Sequence, residues 1–148
     1  MRSLLAKWYE TKVQYEKTME DGSIKKVREN YVVNALSFAE AEANITESME
    51  SYVGDFEVVD CIRQAKYKEV IFSDDATDDK FYKAKLQFIT LDEKTEKEKM
   101  SAAFYLVQAG TFDIARKYIK ELMAGTMIDY KIDTVSETNF IDVFEIHK

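Results

Sequence analysis

The sequence contains no proline, four glycines, one cysteine and one histidine among its 148 residues. A disulfide needs two cysteines and a structural zinc site needs several Cys or His ligands, so these counts exclude both. Four scattered glycines cannot form a phosphate-binding loop, and no nucleophile-elbow or HExxH pattern is present. We therefore predict no catalytic residues, no metal site and no cofactor, and we favour a protein that is not an enzyme.

Long hydrophobic runs are missing as well. No window approaches the ~20 apolar residues of a membrane-spanning helix. The apolar run Leu4–Ala6 is too short for the hydrophobic region of a signal peptide. A lone cysteine, Cys61, fits a reducing compartment, and its residue type favours a small buried side chain. We therefore expect a cytoplasmic protein with no membrane partner.

Apolar and aromatic residues are plentiful. They make up 46% and 13% of the chain, which excludes global disorder. Lys and Arg number 21 against 28 Asp and Glu, giving a formal net charge of −7. A field of that sign disfavours long-range capture of nucleic acids and of anionic membranes.

Two stretches of the chain resemble two others at a nearly constant spacing. Trp8–Tyr15 aligns with Phe81–Phe88 at an offset of 73 residues, and Tyr31–Met49 aligns with Tyr105–Met123 at an offset of 74. Chance similarity rarely keeps one register through separate elements. We therefore interpret the chain as an internal duplication.

Each repeat has the pattern of a ββαβ unit. Alternating strands are joined by a polar hairpin turn, and the second strand leads into a helix with Ser37 or Thr111 at its N-cap. We predict an α+β fold in a single domain made of two repeats, about residues 1–73 and 74–148. Its largely antiparallel sheet would have about six strands, with both helices packed on one face.

Three details of this prediction concern packing and chain ends. Phe38 and Phe112, at the helix starts, are expected to share one core with the helical residues that follow them. The segments Tyr67–Phe72 and Phe140–Ile146 are read as extensions of the third strands after a bulge. His147 is expected to be a frayed tail residue.

Two groups of carboxylates are candidate functional sites. Asp60 and Asp133 occupy matching positions on the third strands, and would form a paired-carboxylate site if they met, or else lie exposed. The connection Ser73–Asp79 holds four aspartates but lacks the spacing of a calcium loop, which favours a solvated turn.

The sheet face away from the helices is the predicted binding surface. The predicted binding residues on the first strands are Lys12, Gln14, Lys83, Lys85 and Gln87. Further members of this face are Asn34, Phe104, Leu106 and Gln108, with Trp8 and Phe81 at one edge. Basic, amide and aromatic groups suit a protein interface, and they also suit base stacking with phosphate binding. An ordinary solvated face is the third possibility.

Several blocks of the sequence resemble a known family. They are Trp8–Val13, Tyr31–Glu42, Phe88–Glu93 and Gly125–Met127. They resemble an uncharacterised family of bacterial and phage proteins of about this length, known only as a domain of unknown function. The resemblance implies a bacterial or phage cytosolic setting and transfers no activity or ligand to any residue.

We therefore predict a non-enzymatic binding or interaction protein. Its partner would be a protein or a second copy of the chain, reached through the open sheet face or a strand edge. The alternative is a protein that binds single-stranded nucleic acid or a small nucleotide ligand, in a phage-related role.

Overall fold

A computed structural model describes residues 5–148, so Leu4, the start of the short apolar run, lies outside the described residues. Within that range the chain forms eight strands and two helices. In chain order they are β1 (Lys7–Thr18), β2 (Ile24–Ala35), α1 (Phe38–Glu50), β3 (Glu57–Ala65), β4 (Tyr67–Ile71), β5 (Lys80–Leu91), β6 (Glu98–Ala109), α2 (Phe112–Ala124), β7 (Asp129–Glu137) and β8 (Phe140–Phe144).

The strands form two sheets of four strands each, with the orders β3-β1-β2-β8 and β4-β6-β5-β7. The predicted α+β class is confirmed. The predicted arrangement differs, because eight strands in two sheets take the place of about six strands in one sheet. Each half of the chain has the same element order, two strands, a helix and two strands.

The chain divides into two compact units. Unit 1 comprises the residues up to Lys66 together with Asn139–Lys148, and unit 2 comprises Tyr67–Thr138. In each unit a long antiparallel hairpin pairs with a bulged third strand on one side. On the other side it pairs with a short strand from the other half of the chain. The predicted boundary between residues 73 and 74 therefore does not coincide with the division into units, because each half of the chain supplies one strand to the other unit.

The two exchanged strands correct one prediction. Tyr67–Phe72 and Phe140–Ile146 do not extend the third strands. β4 instead pairs in parallel with β6 in unit 2, and β8 pairs in parallel with β2 in unit 1. Both exchanged segments start within three residues of the end of the preceding strand, so their sequence is also compatible with a bulged continuation of that strand.

Each unit has its own core. The apolar helical stripe predicted from sequence packs against the inner face of the adjacent sheet in both cases. In unit 1 the buried set includes Tyr9, Val13, Val33, Ala41, Ile45 and Met49. In unit 2 it includes Tyr82, Leu86, Val107, Ala115, Ile119 and Met123. Two cores take the place of the one expected.

The helices begin where the sequence predicted. The Ser37 hydroxyl accepts a hydrogen bond from the Glu40 amide at 3.1 Å, and Thr111 caps α2 in the same way. Phe38 and Phe112 stand at the first helical position, where the helix surface turns toward solvent, and both are about half exposed. Their predicted place in the core is wrong.

The acidic connection Ser73–Asp79 is anchored rather than freely solvated. Asp78 is 4% exposed. Its carboxylate accepts hydrogen bonds from the Ser73 hydroxyl at 2.5 Å, from the Tyr118 hydroxyl at 2.5 Å and from the Gly110 amide at 2.7 Å. These hydrogen bonds, led by that of Ser73, lower the pKa of Asp78.

Gly110 is expected to tolerate no side chain, because a Cβ there would lie 2.7 Å from the Thr77 carbonyl oxygen. We expect Gly110→Ala to lower the free energy of unfolding by ~1–3 kcal/mol. Urea denaturation measures it. Gly54→Ala is the matched control, since a Cβ at Gly54 meets no atom within 4 Å. Equal effects of the two substitutions would contradict the packing argument.

Candidate interaction surface

The five predicted binding residues divide between the units. Lys12 and Gln14 lie on β1 in unit 1, and Lys83, Lys85 and Gln87 lie on β5 in unit 2. The intervening residues Val13 and Leu86 belong to the cores beneath the helices. Because side chains alternate along a strand, all five lie on the sheet faces opposite the helices. That they form one surface stays a prediction.

Two of the lysines have acidic partners at matching positions. Lys12 Nζ lies 3.1 Å from Asp60 Oδ2, and Lys85 Nζ lies 3.6 Å from Asp133 Oδ2. Asp60 and Asp133 belong to different units and each contacts its own lysine. The positive charge on these faces is thus compensated locally, which weakens the attraction for phosphate groups.

Bulges in the third strands bring these carboxylates onto the lysines. The register of β3 shifts between the partners of Glu10 and Lys12, and that of β7 shifts between the partners of Lys85 and Leu86. Asp60 has φ of 59°, a left-handed conformation that a short polar side chain tolerates. Bulged, charged edge strands resist pairing with another chain, so these two edges do not favour self-association.

The amides are also engaged. Gln14 donates to Glu57 at 3.0 Å and accepts from the Arg28 guanidinium at 2.8 Å, and Gln87 donates to Asp133 at 3.3 Å. Lys83 Nζ lies 6.0 Å from the centre of the Tyr67 ring, at the outer limit of a cation–π contact. The predicted polar residues therefore form networks within each sheet.

Exposed apolar side chains occupy the same face of unit 2, toward the tip of its hairpin. Ile89 pairs with Met100, Gln87 with Ala102 and Lys85 with Phe104 across the two strands. Leu91, Met100 and Phe104 are 65%, 51% and 42% exposed. We call this set the apolar ladder; it consists of Ile89, Leu91, Met100, Ala102 and Phe104.

Unit 1 carries polar residues at every matching position. Through the offsets of 73 and 74, the counterparts of the apolar ladder are Glu16, Thr18, Lys26, Arg28 and Asn30. On this hairpin face unit 1 exposes one large apolar residue of its own, Ile24, whereas unit 2 exposes the apolar ladder. Since the two hairpins have equal strand lengths, the fold does not require this difference. The apolar ladder is therefore the strongest candidate for a contact surface.

Part of the predicted open face is covered. Asn34, Phe81 and Leu106, which alternation assigned to it, are buried. The alternation of side chains along a strand shows on which face of the sheet a residue lies. It does not show whether other parts of the protein cover that face. In unit 2 the exposed apolar part of this face lies in the outer half of the β5–β6 hairpin, where Leu91 and Met100 lie. Sequence reasoning placed Phe104 on this face but missed the rest of the cluster, although Phe88, Ile89 and Leu91 place apolar residues on both faces there.

The remaining sites behave differently from expectation. Cys61 is exposed on β3 rather than buried. His147 is not a frayed residue, because its ring contacts Glu40 and its backbone is bonded to Asn34. The hydrogen bond with His147 lowers the pKa of Glu40.

Among residues 5–148 no group of three or more His, Cys, Asp or Glu side chains could hold a metal ion.

In the same part of the chain, neither helix has the length and apolar character needed to cross a membrane.

A sequence profile for a protein family described as "Domain of unknown function (DUF4494)" matches residues 7–146. No curated protein and no solved structure matches the chain.

Proposed function

Because the chain belongs to this family of unknown function, its role has to be inferred from its surfaces, and we propose that it is a non-enzymatic interaction protein. The apolar ladder of unit 2 is the proposed contact surface, and a second copy of the chain is its proposed occupant. The observation that supports this proposal is the contrast between the two hairpins, apolar in unit 2 and polar in unit 1 at matching positions.

The energetics favour covering the apolar ladder. Removing apolar surface from water contributes roughly 25 cal/mol per Å². Leu91, Met100 and Phe104 lie on two paired strands, so their backbone loses less conformational freedom on docking than that of a flexible loop would. A contiguous apolar surface rimmed by charged groups is typical of protein contact sites.

Charge along the hairpin supports a second copy as the occupant. Lys83 and Lys85 lie toward one end of the apolar ladder, and the tip segment Asp92–Glu98 at the other end holds four acids and two lysines. A twofold axis that runs perpendicular to the strands places the same surface of two copies face to face with opposite strand directions. The lysine end of one copy then meets the acidic tip of the other, where the acids of the second copy would share Lys85 with Asp133, which lies 3.6 Å from its Nζ.

The test replaces apolar residues of the ladder in unit 2 with the polar residues found at the matching positions of unit 1. Ile89→Glu, Met100→Lys and Phe104→Asn copy Glu16, Lys26 and Asn30, so the triple variant keeps the net charge and uses residues that this hairpin face already accepts. We expect the wild-type chain to show a concentration-dependent dimer by light scattering. We expect the triple variant to weaken dimerisation at least tenfold, about 1.4 kcal/mol.

The matched control exchanges the cross-strand pair of unit 1, Glu16→Lys with Lys26→Glu, and should leave dimerisation unchanged. A wild-type chain that stays monomeric at millimolar concentration, or a triple variant that dimerises as the wild type does, would overturn the proposal. Binding of a labelled single-stranded oligonucleotide that falls steeply with salt and is lost in Lys83→Glu, Lys85→Glu would support the nucleic-acid alternative instead.

We also propose that the protein acts in the cytosol. A single cysteine that cannot form an internal disulfide suits a reducing compartment, and it lies exposed on a strand. Its thiol would be a target of oxidation in a secreted protein.

A further inference from the structure

The two exchanged strands share a sequence pattern. β4 reads Tyr-Lys-Glu-Val-Ile and β8 reads Phe-Ile-Asp-Val-Phe, so each begins with an aromatic residue and has an acid followed by valine at its centre. Val70 lies beside Leu106 and Val143 lies beside Val32 in the parallel pairs, and all four are buried. The two receiving edges thus accept the same kind of segment.

Unit 1 recognises the segment after β8 through backbone groups. Asn34, which is 4% exposed, accepts hydrogen bonds from the amides of Ile146 at 2.7 Å and His147 at 3.0 Å. It donates to the His147 carbonyl at 2.6 Å. Its counterpart Gln108 accepts from the Ser73 amide at 3.0 Å after β4. Backbone recognition does not distinguish which molecule supplies the strand.

Side-chain contacts in unit 1 supply the specificity. Phe144 stacks on Tyr31 with ring centres 5.5 Å apart and planes at 19°. Val143 fills the position beside Val32, which is fully buried. The edge of β2 therefore selects an extended segment with valine followed by an aromatic residue, and Asn34 holds the residues after it.

The links that carry the strands between units are short. One residue, Lys66, separates β3 from β4, and two residues, Thr138 and Asn139, separate β7 from β8. β8 follows directly on unit 2 in the chain but belongs to unit 1. If the short link before it takes a different direction, β8 can occupy the same position in unit 1 of a second copy.

From these contacts we propose that the edge of β2 in unit 1 is a strand-acceptor site that also takes β8 from a second copy of the chain. The product is a strand-exchanged dimer in which every backbone and side-chain contact of β8 is retained. This proposal does not depend on the apolar ladder, which lies in unit 2.

Complementation between two full-length variants tests it. Val143→Asp places a charge at a buried position of the donated strand and leaves the acceptor site intact. Asn34→Ala removes three hydrogen bonds of the acceptor site and leaves the donated strand intact. After joint refolding from urea, we expect the equimolar mixture to form a heterodimer, measured by light scattering coupled to gel filtration. Both chains also carry the triple apolar-ladder substitutions, so that dimers formed through the ladder do not contribute, and each chain refolded alone should then stay monomeric. A mixture that contains monomers only would overturn the proposal.

A second measurement covers the case in which Val143→Asp does not fold. The milder Val143→Ala chain is titrated into a fluorescent peptide spanning residues 139–148, and the anisotropy should rise. A peptide carrying Val143→Asp should not bind, and the wild-type chain, whose own strand fills the site, should bind at least tenfold more weakly. Absence of binding by the Val143→Ala chain would overturn the acceptor site. Because the complementing chains carry the triple apolar-ladder substitutions, heterodimer formation in the mixture reports the strand-acceptor site alone, which separates this outcome from the proposed function.

Discussion

Replacing Asp78 with alanine is expected to lower the free energy of unfolding by ~2–4 kcal/mol, because three donors lose a buried charged acceptor. The donors are the Ser73 and Tyr118 hydroxyls and the Gly110 amide. Together they fix the connection that leads from β4 into β5. Urea denaturation followed by circular dichroism measures the loss.

The control for Asp78 is its exposed neighbour. Asp79→Ala removes the same charge one residue away and should change the free energy of unfolding by less than about 0.5 kcal/mol. If both variants lose the same amount, the effect comes from net charge and the buried hydrogen bonds contribute nothing measurable.

The same carboxylate predicts a pH dependence of stability. Its pKa in the folded protein is lowered below the ordinary value of 3.8, mainly by the hydrogen bond from Ser73. The stabilisation is therefore fully present above pH 3.8 and is lost as pH falls through the lower folded pKa. We expect Asp78→Asn to show a shallower loss of stability below pH 4 than the wild type. Parallel acid-unfolding curves would contradict this assignment.

Replacing Asn34 with alanine is the second substitution with a large expected effect, ~2–4 kcal/mol, because three hydrogen bonds at a buried site are lost. The loss should be local at first. Hydrogen exchange should speed up at the amides of Val143, Ile146 and His147 well before it does in the core around Ile45. Those amides belong to β8 and the segment after it.

Gln108→Ala is the matched comparison for Asn34→Ala. Gln108 occupies the corresponding position in unit 2 and is half-buried, with a bond from the Ser73 amide at 3.0 Å. We expect it to cost less than Asn34→Ala in the same urea assay. Equal losses, or uniform exchange throughout Asn34→Ala, would show that Asn34 acts only through general packing.

Local features of the fold were predictable because they depend on neighbouring residues. A second strand that leads into a helix was predicted in each repeat, and β2 followed by α1 has this arrangement. The caps at Ser37 and Thr111 follow from side chains three residues from their partners. The pairing of β4 and β8 was not predictable in this way, because alternation within five residues does not specify a partner strand elsewhere in the sequence.

The candidate surface was predictable only in part, and for a related reason. The strand period placed Lys85 and Gln87 on the correct face. It did not reveal that Asp133 would neutralise Lys85, since that contact depends on a bulge in β7. The apolar ladder required knowing which residues face each other across two strands, such as Ile89 and Met100.

The exchange of strands has a consequence for folding during synthesis. Unit 2 is built from the continuous segment Tyr67–Thr138, whereas unit 1 needs Asn139–Lys148 in addition to the residues up to Lys66. On the ribosome the part of the chain made first therefore remains without its edge strand until the later part has emerged. The nascent β2 edge stays open while unit 2 closes, which makes the interval of translation between Lys66 and Asn139 the period of greatest exposure to chaperones and to neighbouring nascent chains.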